Sequence, residues 1–294
     1  MAIEPIMATE PQRNPGWRVH SLSLPRLIRS EWVKLFTVGS TWVLLSVTLV
    51  LNVGIAVLMA YLFRSNDSAF GPNMAGAQGL WSERVAEGST FTGMILLPIL
   101  AVLTITSEYS SGLIRATFAV APRRVRVMLA KMVVVALVVA IVSALSVAIG
   151  WAAGYAILQN TPSIDLALTT NTSLRVLGGY VVEMVLLALF SFGLGAWVKW
   201  TAAGVGTALG MILVLPGALA VLSLLAAPDT ATSGWRKWLV DANQFLPTNA
   251  GNAVTTAVPP PDALYGPWEG VGILGIWALA ALVIGVLVTA RRDV

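Results

Sequence analysis

The chain has 294 residues, of which 57% are hydrophobic and 11% charged, with a formal net charge of +4 and a mean hydropathy of +0.81. Soluble domains carry about 25% charged residues, so most of this chain is built to face something other than water, and the composition is that of an all-α integral membrane protein. With no cysteine and a single histidine, His20, it is excluded from disulfide, cysteine-nucleophile, thiolate-metal and multi-histidine chemistry.

Residues 1–22 are polar, with Pro5, Pro11 and Pro15, and lack the apolar core of a signal peptide. They predict a flexible cytoplasmic tail. Residues 23–39 then set Leu24, Leu27, Ile28, Glu31 and Leu35 along one stripe, with Trp32 and Phe36 at its edge and Arg26, Arg29, Ser30 and Lys34 mostly opposite. This pattern predicts an amphipathic helix lying in the membrane interface, its basic side towards anionic headgroups. The same periodicity also fits an ordinary solvated helix ahead of a span.

Crossing about 30 Å of hydrocarbon takes roughly 20 apolar residues. Six stretches qualify, at about 41–63, 88–106, 132–157, 174–198, 202–226 and 271–290. Asn52 lies halfway along the first and reads as interhelical glue or as part of a translocation path. Pro98 in the second and Pro216 in the fifth predict kinks. Gly206 and Gly210 form a small-residue face suited to close helix approach.

Between the second and third spans, 107–131 is a charged segment held by two apolar runs. Ser110 or Ser111 can cap a short helix, which puts Leu113, Ile114, Thr117 and Phe118 on one face and turns Arg115 away. Pro122 ends that piece, and the chain re-enters the membrane behind Arg123, Arg124, Arg126 and Lys131. The product is an amphipathic peg about two turns long, able to receive force from a soluble partner. Glu108, beside the basic cluster, has an ion pair as its expected role.

In the fourth span Glu183 sits about nine residues from the outer end. A carboxylate at that depth costs roughly 2.5–3.5 kcal/mol on insertion scales and usually faces a bundle interior or a wet cavity. Either Glu183 lines a substrate path, or it is neutral or paired with a hydroxyl or amide on a neighbouring helix. Residues 227–270 are too long for a simple turn. Trp235–Val240 is amphipathic, and the mildly apolar 243–254 is interrupted by Pro247 and Gly251. A half-inserted outer hairpin is the expectation, with a surface-lying loop as the alternative.

Six spans put both termini on one side. That side carries thirteen of the eighteen lysines and arginines, so the positive-inside rule makes the termini and the peg cytoplasmic. The positive charge thereby orients the protein and grips headgroups, which argues against nucleic-acid binding. Trp42, Trp197, Trp200 and Trp268 fall near span boundaries, where amphipathic rings are favoured. No P-loop, His-Glu-x-x-His or Gly-x-Ser-x-Gly motif occurs. The chain is expected to be no enzyme and to hold no cofactor of its own.

Glu108-Tyr109-Ser110-Ser111-Gly112-Leu113-Ile114-Arg115, continued by Pro122-Arg123-Arg124 and Lys131, resembles the first cytoplasmic loop of type-2 ATP-binding-cassette (ABC) permeases. In that loop an acid, a glycine, a proline-basic pair and a lysine recur in this order. Glu31 to Thr37 before Ser40-Thr41-Trp42 is similar to the interfacial helix of bacterial members, and Leu246-Pro247-Thr248-Asn249-Ala250-Gly251 to their outer hairpin. The resemblance runs loosely from 23 to 292. It implies half of an exporter in the cytoplasmic membrane, paired with a second permease, identical or homologous, and with two ATPase subunits that bind ATP and Mg. It also implies a coupling helix from Gly112 to Arg124, in which Leu113, Ile114, Thr117 and Phe118 make the apolar contact, Arg115, Arg123 and Arg124 the polar one, and Pro122 ends the helix. Family substrates range over drugs, lipids, glycan polymers and antibiotics. Two other readings stand beside it: a secondary transporter or channel on an ion gradient, with Glu183 as its only relay, or a membrane subunit that signals.

Overall fold

The computed structural model describes residues 23–65, 81–110, 124–160, 166, 168, 170–225 and 234–291. The tail at 1–22 lies outside the described residues. So do the peg residues Gly112, Leu113, Ile114, Arg115, Thr117, Phe118, Pro122 and Arg123, and of Arg124 only the backbone is described.

Helices in chain order are α1 (Leu24–Thr37), α2 (Gly39–Ser65), α3 (Trp81–Ser110), α4 (Arg124–Leu158), α5 (Asn171–Val198), α6 (Thr201–Leu209) and, after a π-helical turn at Gly210–Val214, α7 (Leu215–Leu225). Then come α8 (Trp235–Gln244), α9 (Pro247–Asn252) and α10 (Pro267–Arg291). Among the described residues six helices are long and apolar enough to cross a membrane: α2, α3, α4, α5, the combined α6–α7 unit and α10.

α5 is the central post. It packs against α3, α4, α6 and α10, and Tyr180, Met184, Leu187 and Phe192 along it are fully buried. In lipid, apolar side chains gain little by leaving one greasy surroundings for another, so helix association depends on close packing. The crossing of α5 with α10 is made at Gly193, where a Cβ would stand 2.5 Å from the Ala281 carbonyl carbon. By contrast, Gly206 and Gly210 have nothing within 4 Å of a built Cβ. The expected small-residue face is open, and a different glycine makes the tight contact.

Two spans begin well before their apolar runs. α3 starts at Trp81, ahead of the expected boundary near 88, because Trp81, Val85 and Ala86 are fully buried and the Trp81 indole N–H donates to the Trp151 carbonyl at 3.1 Å. α4 starts eight residues ahead of Met132, with Val127, Met128 and Ala130 packed inside. Ser110 belongs to α3. α3 continues this far because Glu108 bonds Lys131 at 2.7 Å and the Tyr109 hydroxyl meets Thr289 Oγ1 at 3.1 Å.

The fifth span is broken for a legible reason. Pro216 has no N–H to offer the Ile212 carbonyl four residues back. The backbone widens into the π turn, in which the Leu215 N–H bonds the Gly210 carbonyl. The orphaned Ile212 carbonyl instead accepts from Thr248 Oγ1 at 2.6 Å, tying α9 to the break.

At the α1 end, Leu27, Glu31 and Leu35 form the buried stripe of α1. Leu35 joins Leu45, Leu100, Val134 and Val138 in a small separate core. At the opposite end, Arg175 donates to the carbonyls of Val254 at 3.1 Å and of Thr256 and Ala257, both at 3.0 Å. There Glu83 accepts from the Ala257 N–H at 2.7 Å.

Candidate functional site

Two groups of buried polar side chains stand out, one at each level of the bundle. The first lies at the base of the 111–123 segment. Glu31 comes from the buried stripe of α1, Glu108 from the last turn of α3 and Lys131 from the second turn of α4. Lys131 Nζ donates to Glu108 Oε1 at 2.7 Å and to Glu31 Oε2. Lys34 Nζ donates to Glu31 Oε1 at 2.8 Å and to Glu108 Oε1 at 3.2 Å. Side-chain exposure is 5% for Lys131 and Glu31 and 10% for Glu108, against 46% for Lys34.

Two carboxylates and two ammonium groups balance, which is the condition for burying them together. Partial burial works against the charge on Lys34, but the two glutamates outweigh it and hold its pKa above the ordinary lysine value. Glu108 thus has the ion pair expected of it. Lys131, expected among the headgroup-gripping cations, is instead 4% exposed, because the two glutamates draw it inward. The signal for this was present in α1: an acid on an apolar stripe needs a cation from another element.

The second group lies inside the bundle. Asn52 of α2 is fully buried; its Nδ2 donates to the Tyr180 hydroxyl at 3.2 Å, and its Oδ1 accepts from Thr92 Oγ1. The Tyr180 hydroxyl donates in turn to the Ser89 carbonyl at 3.3 Å. Asn52 therefore joins α2, α3 and α5 by interhelical bonds. Sequence reading missed Tyr180, although it lies one turn from Glu183 on the same face.

Glu183 is also fully buried, and among the described residues neither of its carboxylate oxygens has a hydrogen-bond partner. It faces α9: a Cβ on Gly251 would lie 2.8 Å from Glu183 Cγ and 3.0 Å from Oε1. Only glycine lets that backbone come so close. Glu183 stands twelve residues into α5, about 18 Å along its axis. The segment between the fifth and sixth spans reaches that far along α5. No group of three or more potential metal ligands occurs among the described residues.

Six membrane-length helices around a polar, partly uncompensated interior define a multi-pass membrane protein. Its family follows from sequence comparison. The chain belongs to the family described as protein of unknown function DUF2705, whose model matches residues 53–294. No curated protein matches it.

Proposed function

We propose that this chain is the permease subunit of an ATP-driven ABC exporter, lying in the cytoplasmic membrane with both termini and the 107–131 segment on the cytoplasmic side. In this reading ATP and Mg are bound by two separate ATPase subunits, and a second permease, identical or homologous, completes the path. The open Gly206–Gly210 face is where that second permease would pack.

The observation that carries the reading is the Glu108–Lys131 pair. These are the acid and the lysine that bracket the family-like loop, and they meet at 2.7 Å with Glu31 of α1 against them. Through this cluster, force delivered at the loop would reach α1, α3 and α4 together. The apolar contact with the ATPase is assigned to Leu113, Ile114, Thr117 and Phe118, and the polar contact to Arg115, Arg123 and Arg124, with Gly112 and Pro122 bounding the peg. The 247–252 segment is read as a hairpin inserted from the outer side, Pro247 and Gly251 being tolerated at depth because protein surrounds them. The test is Phe118→Asp: export and co-purification of an ATPase are lost while membrane insertion is kept. Unchanged ATPase capture would overturn the assignment.

The unpartnered carboxyl of Glu183 favours a second reading, transport driven by an ion gradient with Glu183 as the relay. Transport by the isolated chain in ATP-free vesicles, abolished by Glu183→Gln, would establish that alternative. ATP dependence conferred by a partner would exclude it.

A further inference from the structure

A cavity of about 400 Å³ opens beside the α1–α4 ion cluster, between α1, the start of α2, the end of α3 and α4. Its size lies in the range of small-molecule sites, and its lining is divided. Val38, Leu100, Leu103 and Val134 form an apolar wall, while Glu31, Lys34, Glu108 and Lys131 form a charged pole. Lys34, Val38 and Ser40 are exposed at its edge.

The charged pole pairs two carboxylates with two ammonium groups, and of the four only Lys34 is exposed. Lys34 Nζ has three N–H groups, of which two go to Glu31 and Glu108. Lys34 lines the cavity and is exposed at its edge, so the third can meet an incoming acceptor there. Ser40 lines the same cavity with a hydroxyl, and α2, 27 residues long, begins at Gly39, so its first amides add positive potential on the same side. Lys131 is bonded to both glutamates as well, but it is buried behind them and stands back from the cavity edge.

The position limits what can enter. One residue, Val38, separates α1 from the first span, so the charged pole lies at the level where hydrocarbon gives way to headgroups. A ligand must then present an anionic, hydrogen-bond-accepting group to Lys34 and Ser40 and a hydrocarbon body to the wall of Leu100, Leu103 and Val134. We propose that this cavity binds a membrane phospholipid, with its phosphodiester on Lys34 and Ser40 and one acyl chain along the α3–α4 wall. The site is independent of whether the chain is a permease, since it uses no partner and no transported substrate.

The test titrates the purified full chain in detergent with dioctanoylphosphatidylglycerol, dioctanoylglycerol and inorganic phosphate, and reads bound ligand by native mass spectrometry. Saturable binding of the phospholipid alone is expected. Lys34→Ala should weaken it at least about tenfold, the worth of a charge-assisted hydrogen bond, and Lys34→Arg should restore much of it. Leu103→Trp fills the apolar wall without touching the charges and should abolish binding, which guards against a Lys34 variant that merely loosens the cluster. Equal affinity for dioctanoylglycerol would remove the phosphate from the site. Inorganic phosphate binding as strongly as the lipid would reduce it to an anion site. Unchanged lipid binding in both Lys34→Ala and Leu103→Trp would place the lipid elsewhere.

Discussion

The two levels of the bundle treat buried carboxylates in opposite ways. At the α1 end Glu31 and Glu108 are answered by Lys34 and Lys131, in a cluster that ties three helices together. At the level of α9, Glu183 is equally buried and has no partner among the described residues. Burying an ion is tolerable when its charge is matched by close, well-directed donors and expensive when it is not. The first arrangement is therefore matched in charge. The second keeps an unmet hydrogen-bonding group beside a glycine and a short helix.

The sharpest way to break this contrast is Lys131→Leu. It strands two glutamates in the interior and is expected to cost about 3–5 kcal/mol, as removal of one member of a buried ion pair does. The loss should appear as a lowered thermal unfolding midpoint in detergent and be largely recovered when Glu31→Gln and Glu108→Gln are added. Glu183→Gln should behave differently, leaving stability unchanged or higher, because it removes a buried carboxyl that no donor among the described residues meets. A stability loss comparable to that of Lys131→Leu would mean that Glu183 is paired after all and would erase the distinction.

A smaller effect is expected at the junction between α9 and the broken span. Thr248→Val removes the donor to the Ile212 carbonyl and should cost about 1 kcal/mol. In a Pro216→Ala background, where residue 216 regains its N–H, the same substitution should cost almost nothing, and the non-additivity of the pair measures the coupling.

The smallest effect concerns pH. Because the pKa of Lys34 is raised in the folded chain, its contribution is fully present below the ordinary lysine value of about 10.4 and is lost as pH climbs through the folded value. The difference in thermal midpoint between the natural chain and Lys34→Met should hold at neutral pH and narrow only in strong alkali. Narrowing near pH 7 would contradict it.

Much of the architecture is written in local pattern. The six apolar runs, the stripe of α1 and the break at Pro216 all follow from hydropathy, period and a missing N–H. The ends of α3 and α4 were not legible that way, since Ser82, Glu83 and Arg84 look like loop until Trp81 is seen to bond Trp151. At the interior site Glu183 and Asn52 were visible as rare polar residues in greasy helices, whereas Tyr180 and Thr92 became relevant only through their contacts. Gly251 was marked as a break in the outer segment. Its closeness to Glu183 depends on how residues 68 positions apart pack.

By itself, then, the order of residues determined that the described part of this chain forms six membrane-length helices, because apolar length and period are local properties that lipid selects for directly. Tertiary structure alone decided which buried charges are matched, which glycine faces a neighbour and which stands open, and how deep α9 lies along α5. Those outcomes depend on pairs of residues distant in the chain, and no window of sequence contains both members of such a pair.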